Sequence, residues 1–258
     1  MFNNKSLVSV IMNCHNGERF LKNSLNSLIK QTYKNWELIF LDNCSTDNSK
    51  KILLSFKDKR IRYFSLKKKI KLYDARNQAI KKTKGKYICF LDTDDFWHKR
   101  KLFIQVNHFK NSNNNILFTN FYTWNMTTQK KYINNSSLPE GKITQSLLDN
   151  YCIGILTVMI NRSIFNNLRF NKFYEIIGDF DFFIKISKTQ SIDSINLPLA
   201  TYRYHNRSLS VEKLGLYYNE LKLWLIKNRD SLKNFNLIKI KFKIFKIKIK
   251  NLIKIFFN

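Results

Sequence analysis

Three carboxylates fall within four residues at Asp92-Thr93-Asp94-Asp95. At that spacing they repel one another unless something cationic sits among them. They follow the apolar run 87–91, which reads as a buried strand. Carboxylates at such a strand end suit a hard divalent ion, Mg²⁺ or Mn²⁺, shared with the phosphate oxygens of a substrate. The plainer alternative is a solvated acidic turn leading into a helix at residue 98. A second acidic feature, Gly178-Asp179-Phe180-Asp181, opens an aromatic helix. There an aspartate serves either as a helix cap or in catalysis. Arg76-Asn77 opens a helix after the basic loop 67–73. A guanidinium beside a helix N-terminus suits a diphosphate, and otherwise it is simply solvated. Tyr202-Arg203-Tyr204-His205 follows a strand signal, and Asp193 reads as a surface carboxylate. The four tryptophans, Trp36, Trp97, Trp124 and Trp224, read as packing residues.

The elements that must position these groups alternate. Strand signals lie at 7–12, 37–41, 60–65, 87–91 and 116–122. Between them, helix signals lie at 18–31, 48–56, 74–83 and 98–109. Ser45-Thr46-Asp47 offers caps for the second helix, and Gly85 reads as the left-handed residue closing the third. Strands separated by helices imply right-handed crossovers and a mainly parallel sheet. The second half is less regular, with strands near 156–160 and 192–197 and helices near 179–188 and 211–229. No linker separates independent domains. The reading is an α/β domain over 1–210 followed by a helical region over 211–258. Three strands end at Asn13, Asp42 and Asp92. Ligands bind outside the carboxyl ends of such sheets, so these residues are expected to face one crevice.

Taken in order, the segments resemble a family 2 glycosyltransferase with the GT-A fold. The resemblance rests on residues 8–18 (Val-Ser-Val-Ile-Met-Asn-Cys-His-Asn-Gly-Glu), residues 25–33, and Asp42-Asn43-Cys44-Ser45-Thr46-Asp47. It continues through Ala75-Arg76-Asn77, Phe90-Leu91-Asp92-Thr93-Asp94-Asp95, Gly178-Asp179-Phe180-Asp181 and Tyr202-Arg203-Tyr204-His205. It spans about residues 6–210. The fold it implies is a Rossmann-like three-layer α/β/α arrangement with a C-terminal helical extension. The activity it implies is inverting, metal-dependent transfer of a sugar from a nucleotide-diphosphate sugar to an acceptor hydroxyl. Cell-surface polysaccharide or lipid-linked glycan synthesis is the expected setting. By resemblance, Asp42 binds the base, with Asn13 among the nucleotide-sugar contacts. Asp94 is the direct ligand of Mn²⁺ or Mg²⁺, and Asp92 lies nearer the ribose or sugar. Arg76 lies near the diphosphate, Asp179 is the catalytic aspartate, and Asp95 and His205 are further contacts. The sequence departs from the family at five positions. Asn13 and His15 stand where Pro and Tyr are frequent, Asn43 and Cys44 where Asp and Gly are usual, and Gly178 where Glu is usual.

Composition bounds the alternatives. The 258 residues carry 46 Lys and Arg against 18 Asp and Glu, a net charge of +28, with 44% hydrophobic residues. That is enough apolar content for a core and excludes whole-chain disorder. The charge fits nucleic acid, an anionic membrane or a lysine-rich composition. A non-enzymatic nucleic-acid-binding protein would need a recognisable module, and none is evident. A haloacid-dehalogenase-like phosphatase also uses Asp-x-Asp after a strand, but with other neighbours and on the first strand. The expectation is therefore no nucleic-acid partner. The four cysteines lack metal or disulfide spacing. No signal-peptide pattern is visible near the N-terminus, so a cytoplasmic protein is expected. Residues 237–258 carry a lysine stripe (239, 243, 246, 250, 254) and an apolar stripe (238, 242, 245, 249, 252, 256) at helical spacing. This reads as an amphipathic helix on the inner face of an anionic membrane, against packing on the domain or a strand.

Overall fold

The computed structural model describes residues 6–205 and 212–256. In chain order the first elements are β1 (Val8–Cys14), α1 (Glu18–Ile29), β2 (Trp36–Asp42), α2 (Ser49–Ser55), β3 (Ile61–Ser65), α3 (Leu72–Ile80) and β4 (Tyr87–Phe90). Then come β5 (Phe96–Trp97), α4 (Lys101–Lys110), β6 (Ile116–Asn125), β7 (Lys131–Ile133), α5 (Thr144–Asp149), β8 (Met159–Asn161) and α6 (Ile164–Asn167). The chain closes with α7 (Gly178–Ser187), β9 (Asp193–Tyr204), α8 (Leu214–Lys227) and α9 (Ile238–Phe256).

One sheet runs in the order β3-β2-β1-β4-β8-β6-β9-β5, with β7 added to β6. Its first four strands are parallel, as the alternating pattern implies. The second half is mixed. β8 runs antiparallel to both β4 and β6, β9 runs parallel to β6, and β5 runs antiparallel to β9. Both faces are covered, so the central strands are apolar on both sides. Val8, Val10 and Met12 pack with Leu21, Leu25, Leu28 and Leu102 on one face. Ile11, Ile39 and Phe90 pack with Ala79, Phe182, Trp224 and Ile240 on the other. The outcome is the GT-A α/β architecture.

Three sequence readings need correction. Gly85 does not close α3 in a left-handed conformation, since Gly141 is the only described glycine at positive φ. Gly85 is small because β1 passes against it: a Cβ there would stand 2.6 Å from the Ser9 amide nitrogen and 2.7 Å from the Leu7 carbonyl oxygen. Asp193 is buried, not on the surface. It accepts hydrogen bonds from Ser112 Oγ, Asn114 Nδ2 and His108 Nε2, tying the end of α4 to β9. Burial alone would raise its pKa, but these bonds outweigh burial and hold the carboxyl below its ordinary value. Finally, β9 continues to Tyr204 instead of ending near 197. Two register shifts against β6 accommodate Pro198, which has no amide hydrogen to give the ladder.

Candidate active site

The site lies at the carboxyl ends of the parallel strands, around a cavity of about 830 Å³. Asn13, Arg76, Asp92, Asp94, Asp95 and Asp179 all line it. Residues distant in sequence meet there because β1 and β4 are neighbours and α3 and α7 pack on one face of the sheet.

The acidic turn after β4 answers its own repulsion. Asp92 faces Arg76, whose Nη2 donates to both carboxylate oxygens at 3.0 and 3.1 Å. Asp94 Oδ2 lies 3.0 Å from His205 Nε2. Asp95 is buried and accepts from the Arg203 amide at 2.9 Å. Burial, with the Asp94 and Asp92 charges, pushes the Asp95 carboxyl well above its ordinary value. The Arg203 guanidinium lies over the rings of Phe20, Phe96 and Trp124, at 4.3, 5.4 and 5.5 Å from their centroids. The Ser24 hydroxyl reaches the carbonyls of Thr93 and Asp95 from α1 and fixes the turn. Thus Arg203, on the extended β9, and His205, just after its end, serve the acidic turn.

Among the described residues, no group of three or more His, Cys, Asp and Glu side chains is arranged to hold a metal ion. Asp94 Oδ2 and His205 Nε2 nevertheless bring one carboxylate oxygen and one imidazole nitrogen within 3.0 Å of each other. A cation seated there would take the place of their mutual contact and would need phosphate and water oxygens to complete its shell.

Asp179 sits in the first turn of α7. Its Oδ1 accepts from its neighbour's amide, Phe180 N, at 2.8 Å and lies 3.1 Å from the Tyr73 hydroxyl. Burial raises its pKa, while the Arg76 charge and these two donors pull the other way without cancelling the effect. A carboxylate with a raised pKa is a better proton acceptor than an ordinary one. Tyr73 stays a neutral donor, its own pKa pushed well up by burial and the Asp179 charge.

Asp42 is placed differently from the other expected residues. It ends β2 but does not line the cavity; its neighbour Asn43 does. Both Asp42 oxygens are turned inward, Oδ1 accepting from Ser45 N at 2.8 Å and Oδ2 from Tyr63 Oη at 3.0 Å. They shape the loop that carries Asn43 and Cys44. Cys44 holds φ = 61°, a left-handed backbone that favours glycine. The loop is stiffened by reciprocal capping. Asp47 accepts from the amides of Ser49 and Glu18, and Glu18 accepts from the amide of Asn48. Asn13 presents a buried Nδ2 with no hydrogen-bond partner at the cavity wall. His15 receives the Lys69 ammonium on Nε2 at 2.7 Å while its Nδ1 faces the Asn43 carbonyl at 3.0 Å. Lys69 and Lys71 bring positive charge to the same rim.

Sequence reasoning missed the contribution of α8. The buried Glu220 carboxylate accepts from three successive amides, Glu175, Ile176 and Ile177, at 2.7, 3.0 and 3.1 Å. Trp224 Nε1 donates to Asp181 Oδ1 at 2.9 Å. Together they hold the entry to α7, and with it Asp179. No local signal marked Glu220, because its three partners lie 43–45 residues away.

The family model described as glycosyl transferase family 2 matches residues 9–170. The UDP-Glc:alpha-D-GlcNAc-diphosphoundecaprenol beta-1,3-glucosyltransferase WfgD of Escherichia coli is 33% identical over 224 residues, covering 84% of this chain and 83% of that protein. WfaP of Escherichia coli, which carries the same functional description, is 32% identical over 212 residues, covering 80% and 81%. The crystal structure of S. aureus TarS 1-349 in complex with UDP-GlcNAc superposes with a TM-score of 0.69 at 18% identity. It covers 85% of this chain, which spans 65% of the TarS fragment, and it bears on fold alone.

Proposed function

Because the chain belongs to glycosyl transferase family 2, we propose that it performs inverting transfer of a sugar from a nucleotide-diphosphate donor to an acceptor hydroxyl. The observation carrying this reading is the single cavity lined by both Asp94 and Asp179. The first suits the donor's phosphates and the second the incoming nucleophile.

An acceptor hydroxyl is a poor nucleophile at neutral pH. Asp179 takes its proton as the new bond forms at the anomeric carbon. Tyr73 and the Phe180 amide orient that carboxylate. One such carboxylate suffices for inversion by a single displacement, and no covalent sugar intermediate is needed. Asp94 with His205 would hold Mn²⁺ or Mg²⁺. When bound, the ion offsets charge on the leaving diphosphate. Arg76 fixes Asp92 for the ribose or sugar and lends positive charge from beneath, while Lys69 and Lys71 add theirs at the rim. Asn13 offers its unpartnered Nδ2 to the nucleotide from the end of β1, while Asn43, whose side chain bonds the Ile70 backbone, and Asp42 hold the neighbouring loop.

WfgD and WfaP are named for a lipid-linked acceptor, a GlcNAc diphosphoundecaprenol. The acceptor here is by analogy a glycan or lipid-linked glycan, used on the cytoplasmic side of a membrane with the enzyme attached peripherally. Among the described residues no helix is long and apolar enough to cross a membrane. The test is a panel of nucleotide sugars, beginning with UDP-glucose and UDP-GlcNAc, with Mn²⁺ or Mg²⁺ and a GlcNAc-diphospholipid acceptor. Released nucleoside diphosphate and glycosylated lipid are measured together. Equal diphosphate release with and without acceptor would remove the transferase reading.

A further inference from the structure

α9 uses two opposite faces. Ile240 and Ile247 are buried and Ile244 packs beside them, so one face belongs to the core of the domain. Ile238, Phe242, Phe245, Ile249, Leu252 and Ile253 are 40–71% exposed. At about 100° per residue these six fall on one stripe opposite the buried face. The lysines fill the two flanks between them. Lys239, Lys243, Lys246 and Lys250 lie on one side of the stripe, and Lys241 and Lys248 on the other. The helix contains no acidic residue. Packing on the domain therefore accounts for one face and leaves positions 238, 242, 245, 249 and 252 of the apolar stripe predicted from the sequence exposed; position 256, like lysine position 254, lies outside the described side chains.

We propose that this outer face docks in the plane of an anionic lipid bilayer, Phe242 and Phe245 entering the headgroup boundary and the flanking lysines meeting lipid phosphates. Charge selects this occupant. Two copies of α9 meeting face to face would bring lysine flanks together, and of the described lysines on those flanks only Lys239 has a carboxylate partner, Asp149 at 3.1 Å. A lipid surface supplies both the apolar layer and the counter-charge. The location also suits the site. Gly215, at the start of α8, faces Asn251 of α9, with its Cβ position 3.3 Å from Asn251 Oδ1. Two residues earlier, Lys213 lines the cavity and pairs with Glu175 at 2.9 Å. The C-terminal part of the docking helix thus lies beside the cavity rim, where an acceptor embedded in lipid would arrive.

The experiment is co-sedimentation of the full chain with phosphatidylglycerol vesicles and with neutral phosphatidylcholine vesicles. It needs no turnover, so its outcome is separate from that of the transferase reading. Binding to the anionic vesicles is expected, weakened by salt and by neutral lipid. The triple change Phe242→Ser, Phe245→Ser and Ile249→Ser touches only exposed positions and should lower binding at least ten-fold at unchanged melting temperature. Lys243→Gln, Lys246→Gln and Lys250→Gln together should weaken it by about a hundred-fold, at roughly five-fold per lysine. Equal binding by wild type and both variants would overturn the proposal. So would a concentration-dependent dimer, seen by light scattering, that the serine variant abolishes while vesicle binding persists.

Discussion

Tyr73 and Gly178 interlock: a Cβ at position 178 would stand 2.4 Å from Tyr73 Cδ2. The ring of Tyr73 is buried and its hydroxyl is shared between the Ile176 carbonyl at 2.9 Å and Asp179 at 3.1 Å. The residue that replaces the family's usual Glu at 178 is thus the one that lets a tyrosine lean over the helix and grip the candidate base.

Substitution at Gly178 should accordingly be costly. Alanine gains about 1 kcal/mol of helix propensity over glycine. The clash is with ring carbons that have nowhere to go, and overpacking typically costs about 1–3 kcal/mol. Gly178→Ala is expected to lower stability, and Gly178→Glu to lower it further. Tyr73→Ala combined with Gly178→Ala should recover part of the loss. Thermal melts of the two single variants and the double variant give the coupling, and strict additivity would contradict the interlock.

The pH profile reads the same contact. Asp179 must be ionised to accept a proton, and burial raises its pKa above that of an ordinary carboxylate. Activity should therefore fall on acidification at a higher pH than a solvated aspartate would give. The Tyr73 hydroxyl stabilises the charged form, so Tyr73→Phe should move the acid limb of kcat/KM to higher pH. An unmoved or lowered limb would detach Tyr73 from the base.

A buried ammonium gives a prediction about stability alone. Lys101 is fully buried, donates to Gln105 Oε1 at 2.6 Å and lies 4.2 Å from the Trp97 ring centroid. Burial lowers its pKa to about 8, from an ordinary 10.5. Below about pH 8 the folded and unfolded chains are both protonated and the penalty is complete. Between 8 and 10.5 the unfolded chain holds more protons, so stability should rise with pH, by about 3 kcal/mol in all. Urea unfolding of wild type against Lys101→Met isolates the effect, since the rise should shrink in the variant.

Glu220 lies outside the family-matched segment, yet three amides leading to the candidate base depend on it. Glu220→Ala should cost about 1–3 kcal/mol of stability through unsatisfied donors. It should also lower kcat more than it raises the donor KM. Glu220→Gln, which keeps an acceptor oxygen, should restore part of kcat. A folded Glu220→Ala protein with wild-type kcat would reduce Glu220 to a structural role.

The sequence made visible what depends on local pattern. The buried strands that carry Asn13 and lead to Asp92 were readable from apolar runs, and the parallel half of the sheet followed from their alternation with helices. Asp94 and Asp179 fall on one cavity as expected. What stayed hidden depends on contacts far apart in sequence. Asp42 turns away from the cavity because Tyr63 on the next strand offers it a hydroxyl. His205 reaches Asp94 only because β9 runs past Pro198 through a bulge, a residue that ordinarily ends a strand. Cys44 sits in a glycine-like conformation that its residue type does not announce. Glu220 and Asp193 are polar side chains whose partners lie 43–45 and 79–85 residues away, so local pattern could not mark them as buried.

The most direct test of the central claim is Asp179→Asn, measured for both donor binding and transfer. Asparagine keeps the size of the side chain and an acceptor for the Phe180 amide, but it cannot take up a proton. Transfer is predicted to fall by at least 100-fold, within the range usual for a lost general base. Nucleotide-sugar affinity should stay within about two-fold of wild type. Turnover at the wild-type rate by the folded variant would contradict the assignment of Asp179 as the base.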